Sequence, residues 1–265
     1  MRRFLPLLLL LIIPLAAVAY IVVSNSGDDD DASGSGGPTP NPVGNLLSDP
    51  GFEESDGPCT TEEGAATPCW YSLREPVWQS SDERAHTGEK AALLHMRDTA
   101  ESEETKIYYL VQEFGLDPTQ PLPEVISGNY LVENWESGTY NQYLQFVVIL
   151  WGDDFSNLPV CPSQNPCPNY QIRYLLAGID QDPFAIANAK FAYVGTEDPV
   201  EGEWVHFERN LHEDFQSYWG AVPHSVTRIR LLYEVRYDDK LPGEGPMEAD
   251  VYYDDLYLGD AETAP

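Results

Sequence analysis

Two stretches of this sequence alternate so regularly that their side chains sort onto two faces. In 142–151, Leu144, Phe146, Val148 and Leu150 share one parity; Tyr143, Gln145, Val147, Ile149 and Trp151 share the other. In 226–237, Ile229, Leu231, Tyr233, Val235 and Tyr237 oppose Arg228, Arg230, Leu232, Glu234 and Arg236. Successive strand residues point to opposite faces, so the first set in each stretch is expected in a core and the second outward. In 129–136 the same rule sets Leu131, Glu133 and Trp135 against Tyr130, Val132 and Asn134. A solvated face should be polar, yet these outward sets mix rings with amide, carboxylate and guanidinium groups. Flat rings stack on the apolar face of a pyranose, and planar polar groups hydrogen-bond its hydroxyls. Trp135, Tyr143, Gln145, Trp151, Arg230 and Glu234 are the candidates for such contacts. The competing reading is packing: a long loop such as 153–170 covers Val147 and Ile149, and Arg and Glu pair across strands.

The elements that would carry these residues read as strands parted by turns. Candidates lie near 91–97, 106–114, 129–136, 142–151, 171–178, 189–194, 203–211, 226–237 and 250–258, with no amphipathic helix of useful length. Many strands with Gly, Pro and Asp turns predict an all-β sandwich of two antiparallel sheets. No internal repeat is visible, and the roughly 220 residues after the first forty suit one large sandwich.

Charge narrows the partners. Lys and Arg total 14 against 44 Asp and Glu, a net charge of −30. That argues against nucleic acid and anionic membrane surfaces, which would repel such a chain. Arg2 and Arg3 precede an uncharged run from Phe4 to Val23, long enough to cross a bilayer as a helix. Ala17-Val18-Ala19 also satisfies a small-x-small cleavage pattern, so a secretory signal peptide is the rival. The run continues past that site, which favours a membrane anchor over 1–23. Either way the remainder is expected outside the cytoplasm, at the cell surface or secreted. Residues 24–44 are rich in Ser, Gly, Asp and Pro and read as a flexible spacer. Four cysteines allow three pairings; local pairing, Cys59 with Cys69 and Cys161 with Cys167, is expected because each pair brackets a Pro- or Gly-containing loop. Neither spacing is that of a zinc site.

Three motifs carry a family resemblance. They are Asn45-Leu46-Leu47-Ser48-Asp49-Pro50-Gly51-Phe52-Glu53, the segment Ala85-His86-Thr87-Gly88 through Leu94, and Val251-Tyr252-Tyr253-Asp254-Asp255-Leu256-Tyr257-Leu258. In that order they resemble the carbohydrate-binding modules of families 4, 9 and 22, which are jelly rolls with a galactose-binding-like fold. The resemblance spans 45–260, leaving 261–265 as a tail. It implies a structural calcium tying the N-terminal segment to the last strand, with Glu53 and Asp254 as carboxylate ligands and backbone carbonyls near Thr87 and Gly88. Oxygen ligands from distant segments suit that ion, and the alternative for Asp254 is hydrogen bonding to turn amides. Gln112 and the pair Trp70-Tyr71 also fall where such modules carry a glutamine and a tryptophan.

Enzyme signatures are lacking: there is no G-x-S-x-G, Walker A, H-E-x-x-H or dinucleotide fingerprint. The expectation is a non-catalytic module that binds a poly- or oligosaccharide, with a structural or adhesive sandwich as the second class. A polysaccharide hydrolase or lyase is the third. The second would show an outward face closed by loops, with Trp135 and Trp151 buried.

Overall fold

A computed structural model of the protein describes residues 42–60, 69–75, 77–98, 105–137, 141–159, 169–238, 243 and 246–265. The expected anchor over 1–23, most of the spacer, and Cys161 and Cys167 lie outside these. Among the described residues no helix is long and apolar enough to cross a membrane. In chain order the elements are β1 (Gln79–Ser81), β2 (Ala91–Arg97), β3 (Lys106–Gly115), β4 (Val125–Glu136), β5 (Gln142–Gly152), β6 (Tyr170–Ala177), β7 (Ala189–Tyr193), β8 (Trp204–Asn210), α1 (Leu211–Trp219), β9 (Val226–Tyr237) and β10 (Glu248–Gly259). They form two five-stranded sheets. Sheet I has the order β1-β2-β10-β4-β8 and sheet II the order β3-β9-β5-β6-β7.

The inner faces are those that alternation assigned in the two longest stretches. Leu144, Phe146, Val148 and Leu150 of β5, and Ile229 through Tyr237 at every second position of β9, are buried in one cluster with Ala249, Val251 and Tyr253 of β10. Rings cross between the sheets: Phe146 meets Phe207 at 4.8 Å and Tyr233 meets Tyr253 at 5.1 Å between centroids. Packing of this kind holds two sheets together as a sandwich.

Four features depart from the sequence expectation. First, β6 and β7 pair in parallel, with Gln171 opposite Ala189, so sheet II is not wholly antiparallel. Second, a helix forms at Leu211–Trp219. Asn210 caps it by accepting from the Glu213 N–H at 3.0 Å, and Gly220 at φ +82° ends it. Leu211, Phe215 and Trp219, four apart, bury one face. The Asn-x-x-Glu cue at 210–213 was present in the sequence.

The other two are bulges. In β4, Glu136 faces Glu248 while Glu133 faces Asp250, and Asn134 has φ +54°. One extra residue in one strand reverses the parity beyond it. Trp135 therefore turns from the outer face onto the main core, where it packs half-buried. In β10, Asp254 faces Asn129 while Tyr257 faces Ser127, and Asp255 has φ +49°. Strict alternation would put Asp254 on the face of Leu256 and Leu258. The bulge instead leaves Leu256 and Leu258 in the core beside Val251 and Tyr253, and puts Asp254 on the opposite side. It is nonetheless fully buried, lying against Gly51 and the His86–Thr87 turn.

Candidate functional site

Five of the six residues expected to touch sugar share one surface, the outer face of sheet II. The register fixes their layout. Trp151 lies beside Arg228, Ile149 beside Arg230, Val147 beside Leu232, Gln145 beside Glu234 and Tyr143 beside Arg236. Glu113 of β3 flanks Arg230, and Arg173 of β6 flanks Val147. Trp135 is elsewhere: it is in sheet I, its backbone N–H donating to Glu201 at 3.2 Å and its indole N–H to Asp198 at 3.4 Å.

Much of this face is covered. Tyr71 pairs with Val111 at the β3 edge and joins Ile107, Tyr109, Val111, Val147, Ile149 and Leu232 in an apolar layer, with Cys59 and Leu73 packed on it. The Cys59–Cys69 disulfide closes that segment. At the other side Ile179 and Phe191 pack on Tyr143 and Leu175. Among the described residues the cover thus comes from Cys59, Tyr71 and Leu73 on one side and from Ile179 and Phe191 on the other, while 160–168 of the 153–170 loop lie outside those residues. Tyr143 and Gln145 are fully buried and Glu234 is 2% exposed, whereas Trp151 is half-buried at the rim.

Many of the buried polar groups bond one another, while Gln145 Oε1, Arg236 Nε and the Nε and Nη1 of Arg173 have no hydrogen-bond partner. Gln145 Nε2 donates to Glu234 at 2.5 Å, and Arg236 donates to Glu234 at 3.3 Å and to Asp238 at 2.6 Å. Tyr143 donates its hydroxyl to Asp238 at 2.6 Å, and burial pushes its phenol well above the usual range. Arg230 pairs with Glu113, which also accepts from Arg228 at 3.3 Å. The Arg228 guanidinium lies 4.0 Å from the centre of the Trp151 ring. The arrangement is cross-strand ion pairing with an aromatic platform left at its open end. Gln112 faces the other way: its amide brackets Ser48, accepting from the N–H at 2.9 Å and donating to the carbonyl at 3.0 Å.

The second cluster joins the N-terminal segment to β10. Asp254 Oδ2 accepts from the N–H groups of His86 at 2.7 Å and Thr87 at 3.2 Å, and Oδ1 from that of Asp255 at 2.8 Å. Glu53 Oε1 accepts from Glu89 and Lys90 N–H at 2.8 and 3.1 Å. Asp255 bonds His86 Nδ1 at 2.7 Å and accepts from the Thr87 hydroxyl at 2.6 Å. Amides therefore do much of what a metal was expected to do. Burial, and then the neighbouring Asp255 charge, push the Asp254 carboxyl up to about 7.

A Cβ placed on Gly51 would stand 3.6 Å from Asp254 Oδ1, 3.8 Å from Asp255 Oδ1 and 4.0 Å from Glu53 Cγ. Two carboxylates, those of Asp254 and Asp255, thus approach one spot, which Glu53 reaches only with its Cγ while its carboxylate lies at Gly88, and Asp49 Oδ2 is buried with no hydrogen-bond partner. All donors are oxygen, as a hard cation requires. Among the described residues no three His, Cys, Asp or Glu side chains group as metal ligands, so backbone carbonyls would have to complete a shell. Asp49 and Asp255 were not singled out from sequence, because their place depends on the left-handed turns at Asp49 (φ +46°), Phe52 (φ +59°) and Asp255.

No protein-family model matches the chain, and no curated protein matches it. Among solved structures it is similar to carbohydrate-binding modules. One is TmCBM61 in complex with β-1,4-galactotriose, at 15% identity and TM-score 0.38, covering 81% of this chain and 97% of that one. Another is the C-terminal family 22 module of Clostridium thermocellum Xyn10B, at 17% and 0.36, covering 86% and 100%. A mutant ENZbleach xylanase is similar too, at 9% and 0.33, covering 81% and 93%. What those proteins bind or cleave is a property of theirs.

Proposed function

We propose that the protein is a non-catalytic glycan-binding jelly roll displayed outside the cell, taking a poly- or oligosaccharide at the open end of the sheet II outer face. The observation that carries this reading is Trp151. It is half-buried at the rim, backed by the Arg228 guanidinium, and continuous with a face of planar hydrogen-bonding groups. A ring for stacking beside forked donors is the chemistry that reads sugar hydroxyls. The carboxylates on this face speak for binding rather than turnover. Glu113, Glu234 and Asp238 are each engaged by arginine, whereas glycoside hydrolysis needs a pair free to handle protons and attack.

The structural or adhesive reading has its own support in the cover over Val147, Gln145 and Leu232, all nearly inaccessible. Affinity electrophoresis separates the two. The full-length chain, in a detergent without sugar headgroups, is run through gels holding soluble glucans, xylans, mannans, galactans or galacturonans. Retardation lost in Trp151→Ala but kept in Trp135→Ala supports the glycan reading, since Trp135 lies off the face. No retardation on any gel moves the assignment to an adhesive sandwich.

Calcium belongs to the same proposal as a structural ion held by Glu53 and Asp254 with neighbouring backbone oxygens. It would neutralise the converging carboxylates and pin the N-terminal segment to β10.

A further inference from the structure

The outer face of sheet I carries a cavity of its own, of about 400 Å³. Tyr130 and Val132 of β4 lie in the core, so Asn129 projects from the opposite side of the sheet with alternate parity. His206 stands next to it on β8, where its neighbour Phe207 is the inward residue. Asn129 and His206 both line the cavity, and His86 enters it from the turn before β2. Pro50, Leu256 and Pro265 supply apolar walls, and Glu53 and Asp255 border it.

Asn129 is the informative residue. It is only 7% exposed. Its Oδ1 accepts from His206 Nδ1 at 3.3 Å, while its Nδ2 has no partner among the described residues. Unlike the unpartnered nitrogens of Arg173, this one is not closed to solvent, so it opens onto the cavity that the residue lines. The two imidazoles complement it. His206 Nδ1 is engaged by Asn129, and His86 Nδ1 donates to Asp255 at 2.7 Å. Each proton is thereby placed on Nδ1, which leaves Nε2 as an acceptor. Neither Nε2 has a partner among the described residues. The His86 ring is also held edge-on against Trp204, 5.4 Å between centroids.

The cavity thus sets an idle amide donor beside idle imidazole acceptors, between apolar walls. A hydroxyl both donates and accepts, and meets both kinds of group. An anion would face Glu53 and Asp255, and an ammonium would leave the Asn129 N–H groups unmet. We propose that this cavity is a second sugar site, taking one neutral sugar unit with hydroxyls on Asn129 Nδ2 and His206 Nε2 and ring carbons against Pro50 and Leu256. Its volume is at the small end for ligand pockets, which suits one unit rather than a stretch of chain. It lies on the other sheet from Trp151, so one molecule with both sites would hold two chains. The calcium proposed at Glu53 and Asp254 would stand at the wall, and neither Asn129 nor His206 belongs to that ligand set.

The experiment uses the full-length chain in the same detergent, with ¹³C at the Cε1 of its five histidines. Xylose, glucose, mannose and galactose are titrated in turn, and each imidazole is followed by NMR. At least one sugar should shift the His86 and His206 signals saturably and leave those of His95, His212 and His224 in place. Asn129→Ala, read at His86, and His206→Ala should each weaken that binding about tenfold, the effect of one lost hydrogen bond to a buried group. Trp151→Ala should leave it unchanged. Thermal melts of each variant separate lost binding from lost fold. No saturable shift with any sugar overturns the second site and leaves the sheet II reading to its own gels. Shifts spread over all five imidazoles, or binding that Asn129→Ala leaves as tight, overturn it as well. Polymer retardation lost in Asn129→Ala but kept in Trp151→Ala would support this cavity and remove the polymer from sheet II.

Discussion

Gly88 shows how tightly the N-terminal segment is locked to the last strand. Its φ is +69°, and a Cβ there would stand 2.1 Å from Glu53 Oε1, far inside contact. The carboxylate occupies that space in order to accept the Glu89 and Lys90 N–H groups. Gly88→Ala must strain the backbone and push Glu53 out, so it should destabilise the fold by about 2–3 kcal/mol. Urea unfolding of the two proteins measures this; a loss under about 0.5 kcal/mol would mean that the carboxylate can retreat without cost. Glu53 and Gly88 were readable as partners only through their motifs, since nothing in spacing alone joins residues 35 apart. The unpartnered Nε and Nη1 of Arg173 could not be read at all. They follow from which neighbours the register supplies, and Gln171 reaches only the third nitrogen.

At the scale of elements, alternation was a sound guide wherever a strand ran unbroken. β5 and β9 face as their sequences said, because a buried face fixes register. It failed at the two positions where a left-handed residue inserts an extra step, Asn134 and Asp255, and each failure moved a candidate residue, Trp135 and Asp254, to the other side. Nor does periodicity tell what covers an outward face. Val147, Ile149 and Leu232 read as oddly apolar for solvent and proved to lie under Tyr71 and its disulfide-bonded segment. That cover has a testable energetics. The Cys59–Cys69 bond spans 10 residues and should contribute about 2–3 kcal/mol by limiting the unfolded chain. In Cys59→Ser/Cys69→Ser, hydrogen exchange should quicken first at Val111 and Tyr71, whose amides bond each other's carbonyls at 3.0 and 2.9 Å, while central β5 and β9 amides stay protected. Equal quickening across sheet II would show instead that cover and sheet open as one unit.

For the whole molecule, charge sets the balance against which any bound cation acts. A net charge of −30 repels itself in the compact state, and the Asp254 cluster concentrates that repulsion where solvent cannot relieve it. Because burial and Asp255 raise Asp254 from 3.8 to about 7, the native state holds a proton there that the unfolded chain has released. Stability changes with pH as protons bound unfolded minus protons bound native, and that difference is negative between about 4 and 7. The contribution of this group is therefore full below pH 4 and is lost as pH rises through 7. The proposed calcium would work against that loss, since it would bind the carboxylate that the proton vacates and stabilise only the native state. In EDTA at fixed ionic strength, the melting temperature should fall from pH 5 to pH 8. Added calcium should restore it at pH 8 and change it little at pH 5. Other acids share the general trend, so the decisive quantity is the difference between the natural chain and Asp254→Asn, which should lose both the titration step and the calcium increment. A calcium increment that survives in Asp254→Asn would remove this residue from the ligand set. No increment at any pH would mean that the amides of His86, Thr87 and Asp255 hold the carboxylate by themselves, and that the N-terminal segment is fastened to β10 without an ion.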